Sequence, residues 1–353
     1  MNVSKCIYCP AEADSIEHHL PRALGNFKGY VPLLDRVCSA CNTKFGLLDE
    51  QLCRSGIEAF FRTHLEIDGR KQHEKVNPFY RGSAGGQRLE MVGVNQATGQ
   101  DVLLELVGGN EARELRCATL IGEDDSVNVI TITDGMTPEQ FKESVRDLAT
   151  KRGIKRFKMA DFSAGLEEME WVESLMKGLP FERKTDWTNS TVGPIVYGPA
   201  RIKFTVTSRY FRCIAKIGFH YFLTKMPTFR GDESCFDDVR EFIVNEGDID
   251  KCKPFINYNR QALAWQLRNG QRLSTWGHIL CVETDYMQLR AKVQLFAGPE
   301  VQPNVYTVQL GRNPSRIDYS EAYGDFFAYY PKEERGEFDG EVSELIGTRR
   351  RSA

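Results

Sequence analysis

Two short cysteine pairs near the start of the chain limit its folding choices more than any other feature. Cys6-Ile7-Tyr8-Cys9 and Cys38-Ser39-Ala40-Cys41 stand 28 residues apart. Each pair bends the backbone so that both thiolates face one ion, and two such turns complete the closed tetrahedron of structural zinc. A redox pair stands alone beside a βαβ pattern, whereas here two pairs share a metal-like frame. Residues 1–42 are too polar and too broken by turns to build a core of useful size, so a unit of this kind folds around its metal. The spacing therefore predicts zinc on Cys6, Cys9, Cys38 and Cys41. That zinc is inert, because four thiolates leave no open position.

Between the pairs lies Glu17-His18-His19-Leu20-Pro21, and Asn42 follows the last cysteine. A hard cation such as Mg²⁺ or Mn²⁺ takes oxygen ligands, which Glu17 and Asn42 can supply. His18 is the natural general base, because imidazole titrates near working pH. In such a site the base deprotonates a water, the water attacks phosphorus, and the ion neutralises the leaving oxygen. Adjacent strand residues point to opposite faces, so Glu17 and His18 meet at one ion only if the strand is irregular there. Pro21 and the turn after it offer such an irregularity. His19 reads as a packed or solvent-facing neighbour. Asp49, further along the helix that Asn42 begins, either supports the site or offsets helix charge. Lys44 reads as a surface lysine, with phosphate contact as the alternative.

The run Cys-x2-Cys, then Glu-His-x-Leu-Pro-x-Ala-Leu-Gly, then Val-Cys-x2-Cys-Asn-x3-Gly-x2-Asp resembles the HNH endonucleases, the ββα-metal nucleases, in their zinc-clamped form. The likeness covers about residues 1–53 of 353. It implies Glu17 as the acidic metal ligand, His18 as the general base and Asn42 at the final motif position, with catalytic Mg²⁺ or Mn²⁺. The implied reaction is hydrolysis of DNA phosphodiesters, one strand per active site. The family orients its base with an Asn on the second strand. Counting along that strand here reaches Leu33 or Leu34, which leaves Asn26 and Asp35 as open alternatives. Relatives of this kind join the nuclease unit to an unrelated sensor or targeting domain, often in anti-phage defence. DNA and a protein partner or regulator follow as implied partners.

At 353 residues the chain is long for one domain. The reading is α+β: a ββα-metal unit over 1–66, a linker over 67–86, and a larger α+β region with antiparallel strands over 87–353. That region divides near 195–205 in an alternative reading. A helix is expected over 43–65, weakened by Gly56. Alternating apolar runs over 87–132 predict an antiparallel meander. Thr137-Pro138-Glu139-Gln140 has the form of a capped helix start running to about Lys151. Further helices are expected over 165–176, 209–225 and 237–244, an extended stretch over 194–207, and strands over 278–310.

A net charge of -3 gives no general attraction to polyanions, so any nucleic-acid surface has to be a local patch. Arg209, Arg212 and Lys216 fall on one helix face. That stripe reads as a solvated outer face or, alternatively, as a DNA grip, with Arg201 and Lys203 nearby. Tyr258, Arg260, Trp265, Trp276 and His278 read as core, with base stacking as the alternative. No run reaches 18 apolar residues and the N-terminus lacks an apolar leader, so a cytoplasmic protein is expected, its other six cysteines being free. Two readings compete with the nuclease. One is a non-catalytic zinc module that binds nucleic acid or protein, and the other is a sensor acting through its second half.

Overall fold

The computed structural model describes residues 4–27, 30, 32–67, 78–79, 89–94, 101–108, 111–123, 127–132, 136–153, 157–163, 181–182, 201–245, 247–259, 273, 275–284, 286–299, 304–314, 323–331 and 338–345. In chain order its helices are α1 Ser39–Ser55, α2 Ile57–His64, α3 Pro138–Arg152, α4 Ser208–Lys225 and α5 Asp237–Val244. The strands of the first half are β1 Ser15–Glu17, β2 Leu33–Val37, β3 Glu90–Val94, β4 Asp101–Gly108, β5 Glu111–Glu114, β6 Cys117–Gly122, β7 Val127–Thr131 and β8 Phe157–Ser163. They are followed by β9 Phe181–Glu182, β10 Arg201–Lys203, β11 Ile256–Asn259, β12 Gly277–Thr284, β13 Gln288–Ala297, β14 Val305–Arg312, β15 Tyr323–Pro331 and β16 Phe338–Leu345. The architecture is mixed α+β. Its strand pairs are antiparallel, apart from the parallel β8–β9 pair.

Helix α4 organises the packing. From Tyr210 to Leu223 its sequence is apolar or aromatic on almost every face, and a helix of that kind has to be covered on all sides. Thirteen of its 18 residues are buried. Thr207 caps its start, accepting from the Tyr210 amide at 3.3 Å. One side lies on the six-stranded sheet β11-β14-β13-β12-β15-β16. Gly218 permits that approach: a Cβ there would stand 2.9 Å from Val308 Cγ2 and 3.2 Å from Ala291 Cβ. The other side carries α1 and β2 of the N-terminal unit. A single cluster of buried side chains runs from Cys6 and Phe45 through Ile214 and Phe222 to Val293 and Tyr329. The N-terminal unit therefore shares its core with the C-terminal sheet. His278 adds a polar tie, with Nε2 3.2 Å from the Leu24 carbonyl oxygen.

The N-terminal unit is a short hairpin and a helix. In β1–β2, Ser15 pairs with Val37 and Glu17 with Leu33, so β2 carries two extra residues between those pairs. The bulge centres on Asp35, whose φ of 52° is in the left-handed region that Asp tolerates better than most residues. The expected helix over 43–65 is two helices and begins earlier. Cys38 itself caps α1, its sulfur accepting from the Cys41 amide at 3.4 Å. The Asp14 carboxylate holds the Ser39 amide at 2.7 Å, beside the positive helix end. At Gly56 the chain turns, because a Cβ there would meet Glu58 Oε2 at 2.6 Å and the Leu52 carbonyl oxygen at 2.8 Å.

The capped start at Thr137 forms as its sequence predicts, with reciprocal Thr137 and Gln140 hydrogen bonds at 3.3 and 2.9 Å. Helix α5 and strands β12 to β14 match their expected ranges. The meander forms as two antiparallel groups, β3-β4-β5 and β6-β7. Of the expected 194–207 stretch, 201–207 is described, with β10 at its start. The helix expected over 165–176 lies outside the described residues. So does most of the expected 67–86 linker, of which Ile67, Pro78 and the fully buried Phe79 are described. Among the described residues no helix is long and apolar enough to cross a membrane.

Candidate metal centre and the buried lysine

The four cysteines of the paired motifs converge. Their sulfur atoms all lie within 4.8 Å of one another, with Cys9–Cys38 at 3.5 Å and Cys41–Cys9 at 3.7 Å. A zinc–sulfur bond of about 2.3 Å puts tetrahedral sulfurs about 3.8 Å apart, so the cluster has the size of a zinc site. Each turn also aims an amide at its first sulfur, Tyr8 at Cys6 (3.5 Å) and Cys41 at Cys38 (3.4 Å). Burial pushes the Cys38 thiol up. Hydrogen bonds from the Cys41 amide and the other thiols outweigh that and bring it down to about 7. Among the described residues this is the one group of His, Cys, Asp and Glu side chains at metal-binding spacing. It fits structural zinc, held by Cys6, Cys9, Cys38 and Cys41.

Glu17, His18 and Asn42 are not brought to one ion. The bulge lies on β2, so β1 keeps its ordinary alternation and the two neighbours diverge. Glu17 turns inward and is 3% exposed. Its Oε1 lies 3.0 Å from Lys216 Nζ and 3.6 Å from His220 Nδ1. His18 turns outward and is half-buried, stacked on Tyr30 at a centroid distance of 5.6 Å. Arg22 Nε donates to its Nε2 at 3.2 Å. A surface depression of about 200 Å³ opens beside this pair, lined also by Asn26, Phe27 and Pro32. Asn42 uses its side-chain NH₂ to tie α1 to β1, donating to the Ile16 carbonyl at 3.0 Å and Ser15 Oγ at 3.2 Å. The oxygen donors expected for Mg²⁺ or Mn²⁺ thus do not converge, and Glu17 already holds a cation.

That cation was read from the sequence as part of an outer stripe, which the structure corrects. Lys216 is 0% exposed, at the centre of α4. Its ammonium bridges Glu17 and Asp49, the latter at 2.7 Å. Burial would lower the lysine pKa, but the two carboxylates outweigh it and hold it well above the usual range. Burial would raise Glu17, and Lys216 with His220 instead brings it down to about 2. Asp49 keeps 26% of its side-chain surface and is shifted upward, by burial first and by the neighbouring Glu17 charge. Tyr8 closes the network with its hydroxyl 2.7 Å from His220 Nε2. Burial lowers the pKa of His220, against the opposing pull of Glu17 and Asp49.

Arg212 is also buried rather than outward. Its guanidinium donates twice to the Ile243 carbonyl, at 3.0 and 2.9 Å, near the negative end of α5. Arg209, Lys44, Arg201 and Lys203 are exposed. His19 is 2% exposed and packs against Tyr30, Tyr221 and Phe327. Burial holds its pKa well below the ordinary histidine value. His278 is fully buried and held down to about 3 by burial, as the core reading expects; Trp276 is half-buried, Tyr258 is 60% exposed instead, and Arg260 and Trp265 lie outside the described residues.

Comparison with protein-family models, with curated proteins and with solved structures finds no match to this chain. What the geometry defines is an α+β protein with a four-cysteine cluster that fits structural zinc.

Proposed function

We propose that the chain is a DNA endonuclease or nickase of the HNH type, with zinc holding the hairpin and α1 while the rest of the chain governs target choice or regulation. The observation that carries the reading is the His18–Arg22 pair in an open depression on the zinc-clamped hairpin, within the HNH-like motif. Arg22 Nε donates to His18 Nε2 at 3.2 Å, and an accepting ring nitrogen is the atom a general base uses. A guanidinium pairs with phosphate oxygens through two parallel hydrogen bonds. A phosphodiester arriving in the depression would be gripped by Arg22 beside the His18 imidazole, which takes the proton from water. Anti-phage defence is the setting that the resemblance suggests.

A second reading is a non-catalytic zinc module that binds nucleic acid or protein, and one observation favours it: Glu17, the acidic residue of the motif, is engaged by Lys216. Plasmid nicking by the zinc-loaded chain with Mg²⁺ or Mn²⁺, wild type beside His18→Ala, separates the two. The nuclease reading expects a loss of about 10²-fold or more in the variant, the usual contribution of a general base. Equal rates, or DNA retention without cleavage by either protein, leave the binding module.

A further inference from the structure

Helix α2 joins the N-terminal unit to two sheets. Ala59 packs with Phe79, Leu89, Met91 and Leu104 of the β3–β5 group. Phe61 stacks on Phe296 of β13 at a centroid distance of 5.4 Å. The same helix turns a carboxyl group inward: Glu58 is 3% exposed. Its Oε1 accepts from the Tyr210 hydroxyl of α4 at 2.6 Å, and that hydroxyl lies 2.9 Å from the Tyr306 hydroxyl of β14. Its Oε2 is buried and has no hydrogen-bond partner among the described residues. Arg62, one turn further along α2, gives Nη1 to the Cys53 carbonyl oxygen at 2.8 Å instead. On the other elements packed against α2, Glu105 of β4 is held by Arg113 and Lys292 of β13 by Glu283. Cys53 of α1 is the remaining titratable neighbour, its thiol pushed up to about 12 by burial. Among the described residues, two phenols and a thiol face Glu58, and no cation does.

We propose that Glu58 is a pH-sensitive latch, holding α2 against α4 and β14 while protonated and loosening it once ionised. Burying a charge without a partner is costly. A proton on Oε2 removes the charge, and Oε1 keeps its hydrogen bond from Tyr210. Burial pushes the carboxyl up to about 7, against the Tyr210 hydroxyl and the Glu58 amide, which both favour the anion. A raised carboxyl pKa gives stability that is complete below pH 4.5, falls as pH rises from 4.5 to about 7, and is level above. Because α2 touches both sheets, its loosening changes how the N-terminal unit is held. The latch goes beyond the nuclease reading and uses neither His18 nor DNA.

The test uses the full, zinc-loaded chain without DNA. Carbon NMR of chain labelled at glutamate follows the Glu58 carboxyl, which is expected to titrate near 7 in the folded protein against an ordinary 4.5. Hydrogen exchange, corrected for the intrinsic rate at each pH, reads the opening of α2. Between about pH 5 and 7 that opening is expected to grow about 10²-fold in wild type and to stay level in Glu58→Gln. Zinc content and thermal melting establish that the variant is folded. Tyr210→Phe removes a donor that favours the anion, so the Glu58 titration is expected to move higher. A Glu58 carboxyl that titrates near 4.5 in the folded chain overturns the latch. So does an α2 opening that rises equally with pH in wild type and Glu58→Gln. Should Glu58→Gln not fold, the wild-type titration and its upward move in Tyr210→Phe decide, and a value that stays put in Tyr210→Phe counts against the latch.

Discussion

Two clusters of thiol or acidic side chains sit on the N-terminal unit, and each suits a different kind of cation. At the cysteine corner four sulfurs lie within 4.8 Å of one another, a spacing that fits an ion taken from solution. At Glu17 and Asp49 the chain supplies an ammonium of its own. The first arrangement is local and makes a short segment fold. The second is long-range and makes the N-terminal unit and α4 depend on each other. A buried ion pair is costly to desolvate and is held only while every partner is present, so the lysine couples the two halves more strictly than apolar contact would.

The largest effect should come from zinc. Stripping it with a chelator, or Cys41→Ser, is expected to cost on the order of 10 kcal/mol of local folding free energy, the scale seen for zinc-finger peptides. Hydrogen exchange should then show the amides of β1, β2 and α1 unprotected. Protection retained without zinc would break the contrast, since the corner would then stand on apolar packing. Next is Lys216→Met, expected to lose about 3–5 kcal/mol because the buried Glu17 and the half-buried Asp49 are left without a counter-charge. Urea unfolding measures it. Adding Glu17→Gln and Asp49→Asn should restore most of the loss, and a loss that persists in the triple variant would show that the lysine acts through its packing.

The smallest effect is a pH dependence. Glu17 lies at about 2 in the folded chain against an ordinary 4.5. A lowered carboxylate pKa contributes stability above pH 4.5, which is lost as pH falls from 4.5 toward 2. The stability difference between wild type and Glu17→Gln should therefore narrow across that window by about 3 kcal/mol. Asp49 shifts the opposite way and offsets part of this in both proteins. A difference that stays constant from pH 5.5 to 2.5 would mean that Lys216 is satisfied by Asp49 alone.

The convergence of the four cysteines was legible because they recur at a fixed spacing typical of a metal site. Thr137 and Gln140 were legible for a similar reason, as a capping pair three residues apart. Lys216 was not. Its spacing from Arg209 and Arg212 puts them on one helical face, and charged stripes are ordinarily wet. The partners that bury it, Asp49 and Glu17, are 167 and 199 residues away, beyond the reach of any local pattern. One signal was available: α4 has aromatic or aliphatic residues on its other faces too, so a lysine in its middle had no water to face. The divergence of Glu17 and His18 was legible in the two-residue period of a strand. What kept it hidden was the bulge, which sits at Asp35 on β2 instead of at the Glu17–His18 step.

The 199-residue separation of Glu17 and Lys216 also sets a schedule for synthesis. At about 5–20 residues per second on the ribosome, Lys216 is made roughly 10–40 s after Glu17. For that interval Glu17 and Asp49 lack the ammonium that pairs them in the finished fold.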